Sequence, residues 1–275
     1  MIFVYKYWEN FCKKLHEMDI HSIRAEDVFE CKNRYLVLKH DVETNVSRAY
    51  KMAEIEAKYG HRGVYYVQAY LLSDPRNVSL LAQIQSMGHE VSYHYDVMDA
   101  CKGNIDDALV EFEKNRKLFE NNGFAIKTLC QHGNPIVERI GYTSNRDFFR
   151  NAIVQERYPE FSDIMVDFKK KACTEYTYFS DAGRQFKLIY DPINNDIIKS
   201  DDKNIGFDTV DELIPYIEKE NCIVSTHPHR WTNSAKSYLV KMWLFKIVKS
   251  IAKILVKIPF LKKIMSRYYY LAKKI

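Results

Sequence analysis

Leu36-Val37-Leu38-Lys39-His40-Asp41-Val42-Glu43 opens as an apolar strand and closes as a polar knot. A strand that ends in such a cluster delivers its side chains to the mouth of a site, as the carboxyl ends of strands do in parallel barrels and open α/β sheets. Asp41 and Glu43 are two residues apart, so in extended chain they face one way and Val42 the other. Two carboxylates that converge need a cation or a shared proton, because both cannot ionise cheaply at close range. A divalent metal is the usual solution. The alternative is an exposed strand-to-helix turn with acidic residues near a helix N-terminus.

Three more strand-like segments end the same way. Gly88-His89-Glu90-Val91-Ser92-Tyr93-His94-Tyr95-Asp96 follows a glycine break and carries His94 near its far end. Ile126-Lys127-Thr128-Leu129-Cys130-Gln131 runs into His132, with Gly133 and Pro135 stopping the strand. Cys222-Ile223-Val224-Ser225-Thr226 runs into His227-Pro228-His229-Arg230-Trp231. A lone histidine reads as a satisfied core residue. Repetition at strand ends, drawn from nine histidines in all, argues for a site.

These segments resemble the polysaccharide deacetylases, the NodB-homology, metal-dependent carbohydrate esterases. Asp41-Val42-Glu43 is similar to the Asp-x-Asp form of their first motif, and Gly88 to His94 to their Gly-His-Glu-(Ile/Val)-x-x-His. The stretch ending in His227-Pro228 resembles their last motif, and Tyr178 to Arg184 more loosely their Asp-bearing fourth. The overlap runs from about residue 35 to 232 and is nearest to the WbmS-like branch associated with bacterial surface-polysaccharide gene clusters. Where the family places a second histidine four residues after the first, this chain has Met98, a poor ligand for a hard or borderline ion. His132, at a neighbouring strand end, is the expected replacement, with Asp96 and Asp99 as rivals.

The resemblance implies an acyl hydrolase acting on the C–N amide of an amino sugar. Glu43, His94 and His132 would hold Zn²⁺, or Co²⁺ or Ni²⁺ in its place, leaving a position open for water. Asp41 carries over as the base, His227 as the acid that protonates the departing amine, and Asp181 as the partner that orients His227. Arg184, Arg230 and Trp231 would contact the sugar; a core aromatic is the plain alternative for Trp231. Met98 keeps a second function open, a metal-free saccharide-binding member of the same fold.

Element order predicts α/β architecture, a distorted, incomplete (β/α) barrel of the deacetylase type over residues 1–235. An N-terminal helix, Tyr5 to Met18, precedes strand 35–41, helix 45–59, strand 63–69, helix 77–87, strand 90–95 and helix 105–122. Such alternation means parallel strands under covering helices. Strand 126–131 and segments near 162–168, 176–180, 186–190 and 222–226 continue it less regularly. The 275 residues, 47% hydrophobic and 28% charged, are ample for one core. Six cysteines show no Cys-x-x-Cys or metal-finger spacing and read as reduced thiols, which implies a cytoplasmic setting. The first residues lack a signal-peptide pattern, so a precursor made inside the cell, free or lipid-linked, is the expected substrate.

Charge divides unevenly. After residue 220 the chain has twelve of its 41 lysines and arginines and none of its 36 acidic residues, so the body is about −7 and the tail about +12. Residues 236–275 alternate apolar and basic side chains at helical spacing, too often interrupted to span a membrane. A basic amphipathic helix suits the surface of an anionic membrane. A helix packed on the body is the competing reading, and a nucleic-acid contact is not expected.

Overall fold

The computed structural model describes residues 3–134, 137–197 and 203–255. Its strands are β1 (Leu36–Val42), β2 (Gly63–Val67), β3 (Glu90–Tyr95), β4 (Thr128–Gln131), β5 (Ser162–Asp163), β6 (Thr177–Ser180), β7 (Phe186–Leu188), β8 (Ile205–Phe207) and β9 (Cys222–Thr226). They form one sheet in the order β5-β4-β3-β2-β1-β9-β6-β7-β8. From β5 to β6 every pairing is parallel, while β7 and β8 add an antiparallel edge. Helices Val46–Lys58, Pro75–Ser86 and Ile105–Asn121 make the crossovers from β1 to β2, β2 to β3 and β3 to β4. Gly60 and Gly123 end two of them in the left-handed region, at φ +75° and +83°, where a Cβ is disfavoured.

Two features depart from the sequence expectation. β8 was not anticipated, since three residues with Gly206 at the centre give no readable alternation. The β6–β7 connection is a turn over Ala182–Arg184, far too short for the crossover that a parallel neighbour needs, so that edge runs antiparallel. Among the described residues the hydrogen-bonded ladder does not close into a ring, because β5 and β8 are its two ends.

Side chains alternate cleanly along β1. Leu36, Leu38 and Val42 point outward under the helices, with His40 between them, and Val37 points inward. His40 Nε2 meets Glu56 Oε1 at 2.8 Å, and Glu56 also accepts from Trp8 and Tyr65. The polar knot therefore splits: His40 ties the strand to helix Val46–Lys58, and Asp41 and Glu43 serve the interior. One inner cluster joins Val37, Val64, Tyr66 and Cys130 to Tyr178, Ile189 and Ile223, so strands as far apart in sheet order as β4 and β6 share one interior. The sheet is strongly curled, and its carboxyl ends surround a common mouth.

The C-terminal segment is less separate than a boundary at residue 235 suggests. Thr232 N donates to Phe3 O and Tyr5 N to Thr232 O, both at 3.0 Å. Helix Ala235–Leu255 begins there, with Tyr238 buried against Phe3. Leu239, Val240, Trp243, Leu244 and Ile247 remain exposed. Among the described residues no helix is long and apolar enough to cross a membrane. Residues 256–275, half of the expected tail, lie outside the described ones.

Candidate active site

A cavity of about 500 Å³ opens at the carboxyl ends of β1, β3, β4, β6 and β9, lined among others by Asp41, Glu43, His94, His227, Arg184 and Arg230. Glu43, His94 and His132 are all buried, and each presents a ligand atom within 4.8 Å of the other two. Glu43 stands just beyond β1, His94 at the end of β3, and His132 just beyond β4. His132 Nε2 lies 3.0 Å from Glu43 Oε1. His132 is further fixed through its backbone, donating to Tyr95 O at 2.7 Å and accepting from Asn145 Nδ2 at 2.7 Å.

The donor set suits a divalent ion. His94 Nδ1 is 3.0 Å from Cys130 O, a contact it makes only as an N–H donor, so the lone pair of Nε2 is left for a ligand. Burial drives the His94 pKa down to about 3 against the pull of Asp41, which keeps the ring neutral and able to coordinate. Two imidazoles and a carboxylate within one small volume are the ligand types of catalytic zinc sites. Met98, four residues after His94, is buried in the apolar cluster with Tyr95 and Val97, turned away from the cavity. Asp99 is committed to Arg139, at 2.8 Å through both carboxylate oxygens, and to Tyr142 and Asn145.

Asp41 is held from below. Lys39 Nζ reaches its two oxygens at 2.6 and 2.7 Å and Ser225 Oγ at 3.1 Å, and the lysine is almost fully buried. Burial opposes ionisation of Asp41, but the Lys39 ammonium outweighs it and holds the carboxyl below its ordinary range. Cys130 completes a second cluster with Asp41 and His94.

Across the mouth, His227 Nδ1 meets Asp181 Oδ1 at 2.6 Å. Asp181 is fully buried and also accepts from Arg230 Nη1 at 2.6 Å, Thr226 Oγ1 at 2.7 Å and the His227 amide at 3.0 Å. Burial disfavours its charge, yet Arg230 and His227 overcome this and depress its pKa strongly. With Nδ1 committed, His227 turns Nε2 toward Asp41 Oδ2 and Glu43 Oε1, at 3.9 and 4.0 Å. An imidazole oriented by a buried carboxylate and facing another carboxylate across open space is an arrangement that can do general acid–base chemistry.

Trp231 does not contact the cavity and cannot stack on a sugar. It has no exposed surface and packs edge-on against Phe3 and Trp8, each at 5.2 Å. The apolar ring gains more from the core formed by the N-terminal helix than a cleft wall would return. Its Nε1–H donates to Thr226 Oγ1 at 2.9 Å, which leaves the threonine hydroxyl proton for Asp181. Trp231 thus supports the Asp181–His227 pair from behind. Two motif residues are likewise structural: His89 takes the Gly63 amide at 2.9 Å, and Glu90 joins Thr128 to the Glu26 amide.

Sequence reasoning missed Lys39 and His229. His229 is largely buried, its Nδ1 3.9 Å from Glu43 Oε2 and without a hydrogen bond among the described residues, and burial keeps it neutral. The signals were present. Lys39, Asp41 and Glu43 share period-two spacing on one face, and His227-Pro228-His229 sets two histidines two residues apart.

The chain matches no model of a known protein family, and no characterised protein by sequence. Among solved structures it is similar to a family 4 carbohydrate esterase from Streptomyces lividans in complex with acetate, at 14% identity and TM-score 0.43. That match covers 71% of this chain and 80% of the esterase. It is also similar to a mutant of the peptidoglycan deacetylase PdaC from Bacillus subtilis, at 10% identity and TM-score 0.39, over 80% of this chain and 98% of that one.

Proposed function

We propose that this chain is a metal-dependent hydrolase that removes an acyl group, N-acetyl in the simplest case, from an amino sugar of a surface-polysaccharide or glycolipid precursor. One observation carries the reading. Glu43, His94 and His132 offer three ligand atoms within 4.8 Å, and the Asp181-oriented His227 faces them across one cavity. A divalent ion held there would supply a polarised carbonyl and a water whose pKa falls to about 7.

The protein's own groups do the rest. Asp41, kept ionised by Lys39, accepts a proton from the attacking water. His227, with Nδ1–H tied to Asp181, delivers a proton from Nε2 to the departing amine. Arg184 and Arg230 line the wall against which the sugar lies. Metal analysis of the purified protein after reconstitution with Zn²⁺, Co²⁺ or Ni²⁺ tests the reading, together with acetate release from N-acetylglucosamine oligomers. About one ion per chain and turnover are expected. The second reading, a metal-free saccharide binder, is favoured by Met98 lying in the core, which leaves the second motif one ligand instead of two. Saccharide binding with no ion retained would establish it.

The exposed face of helix Ala235–Leu255 belongs to the same proposal. Leu239, Val240, Trp243, Leu244 and Ile247 form an apolar stripe in a region with no acidic residue, which suits the inner face of an anionic membrane, where a lipid-linked precursor is found. Salt-sensitive co-sedimentation with anionic but not neutral vesicles is the expected result.

A further inference from the structure

Beside the cavity, where Arg184 touches helix Ala235–Leu255, four cations crowd together. Arg184 and Arg230 line the cavity itself. Arg184 Nη1 lies 3.4 Å from Met242 Sδ on the helix, and the neighbouring Lys241 buries its ammonium nitrogen with no hydrogen-bond partner among the described residues. Arg48, near the start of helix Val46–Lys58, donates to the carbonyl of His229 and lines a smaller hollow of about 300 Å³ with Lys51, Asn233 and Ser237. Arg230 has the Asp181 carboxylate. The charged neighbours acting on Lys241, Arg48 and Arg184, are both cationic; burial first and then these two push its pKa down to about 8.

A buried ammonium without an acceptor is costly, and guanidinium groups beside it raise the cost. The backbone is strained at the same point: Arg184 sits at φ +66°, directly after Gly183 at +77°, a region that non-glycine residues seldom occupy. Cost concentrated in one place, directly behind the Arg184 that lines the cavity, marks a ligand that relieves it. We infer that Arg48, Arg184, Arg230 and Lys241 form an anion subsite at the cavity rim that takes a phosphate ester carried by the substrate. Arginine forks and a lysine point charge are the donors that phosphate recognition uses. The subsite rests on the amino-sugar reading above and narrows it to phosphorylated substrates, whether a soluble sugar phosphate or a lipid-linked one.

The test compares N-acetylglucosamine 1-phosphate with N-acetylglucosamine by titration calorimetry on metal-depleted full-length protein. The phosphorylated sugar is expected to bind on the order of ten- to hundredfold more tightly, the worth of charge-assisted hydrogen bonds. Lys241→Gln should erase most of that ratio, Lys241→Arg should retain it, and Lys236→Gln, an exposed lysine on the same helix, should leave it unchanged. Without phosphate, Lys241→Gln should melt no lower than the parent, because it removes an unpaired buried charge. A parallel arm with short-chain phosphatidic acid separates the sources: competition there, without a sugar-phosphate advantage, assigns the subsite to a lipid phosphate. No advantage in either arm, equal loss in Lys236→Gln, or a lower melting temperature in Lys241→Gln overturns the inference. Because no turnover or metal is needed, a phosphate advantage in a protein that neither binds metal nor releases acetate refutes the hydrolase alone.

Discussion

Asp181→Asn is the perturbation that separates the geometry of this site most sharply. Its two oxygens accept from His227 Nδ1, the His227 amide, Thr226 Oγ1 and Arg230 Nη1. Asparagine keeps one acceptor oxygen and adds two donors, so at least two of those four donors face another donor, and Arg230 loses its counter-ion. Breaking a buried ion pair costs about 3–5 kcal/mol. At about 2–4 °C per kcal/mol for a domain of this size, the melting temperature should fall by roughly 6–20 °C. The catalytic cost is separate. Without its acceptor at Nδ1, His227 loses its fixed tautomer, and turnover should drop by roughly 10²–10⁴-fold, the usual worth of a positioned acid–base group. Metal content should stay the same, since Asp181 is not among the ligand atoms. The sign with pH follows from the depressed pKa of Asp181: its stabilisation is full above the ordinary value of 3.8 and is lost only as pH falls below it. The gap between parent and variant in thermal melts should therefore hold from pH 7 to about pH 4 and then narrow. A variant that melts within 2 °C of the parent and turns over within threefold would refute the buried-pair reasoning.

Four further outcomes are expected. His94→Ala should abolish metal binding and His132→Ala should weaken it strongly by metal analysis; Met98→His should not tighten it, because that side chain lies in the apolar core, and should instead lower stability. Asp41→Asn should keep the metal and lose turnover by roughly 10²–10⁴-fold; loss of both together would make Asp41 a ligand. Burial pushes the Glu90 pKa up to about 7, so its folded-state preference for a proton is satisfied at low pH and becomes a cost as pH rises from its ordinary 4.5 through 7. Glu90→Gln should accordingly gain up to roughly 3 kcal/mol on the parent in urea melts between pH 5 and 8, and a pH-independent difference would show that Glu90 is ionised throughout. Truncation after Leu244 should leave the cooperative melt intact and weaken binding to anionic vesicles, because nine of the twelve basic residues after position 220 lie beyond it, whereas truncation after Trp231 should lower the melt, because Thr232 and Tyr238 belong to the core around Phe3.

The first four parallel strands and the helices between them were legible to within a few residues, because periodicity and glycine stops are local properties of the chain. So was the inward pairing of Asp41 with Glu43, since alternation along an extended strand needs no tertiary knowledge. His94 and His132 were readable as strand-end groups for the same reason. That they meet Glu43 within one coordination volume depends on β4, β3 and β1 lying in one curled sheet with their carboxyl ends together. The fate of Trp231 was decided only by tertiary structure: nothing local distinguishes a cleft tryptophan from one enclosed by Phe3 and Trp8, which come from the far end of the chain. Lys39 was overlooked because a lysine in an apolar strand reads as an interruption until its partner, two residues on, is seen to share its buried face. The antiparallel edge and the packing of Tyr238 were likewise beyond sequence, because both depend on which surfaces remain uncovered once the parallel sheet has formed. Local pattern determined which side chains would stand at strand ends; long-range packing decided which of them would face one another.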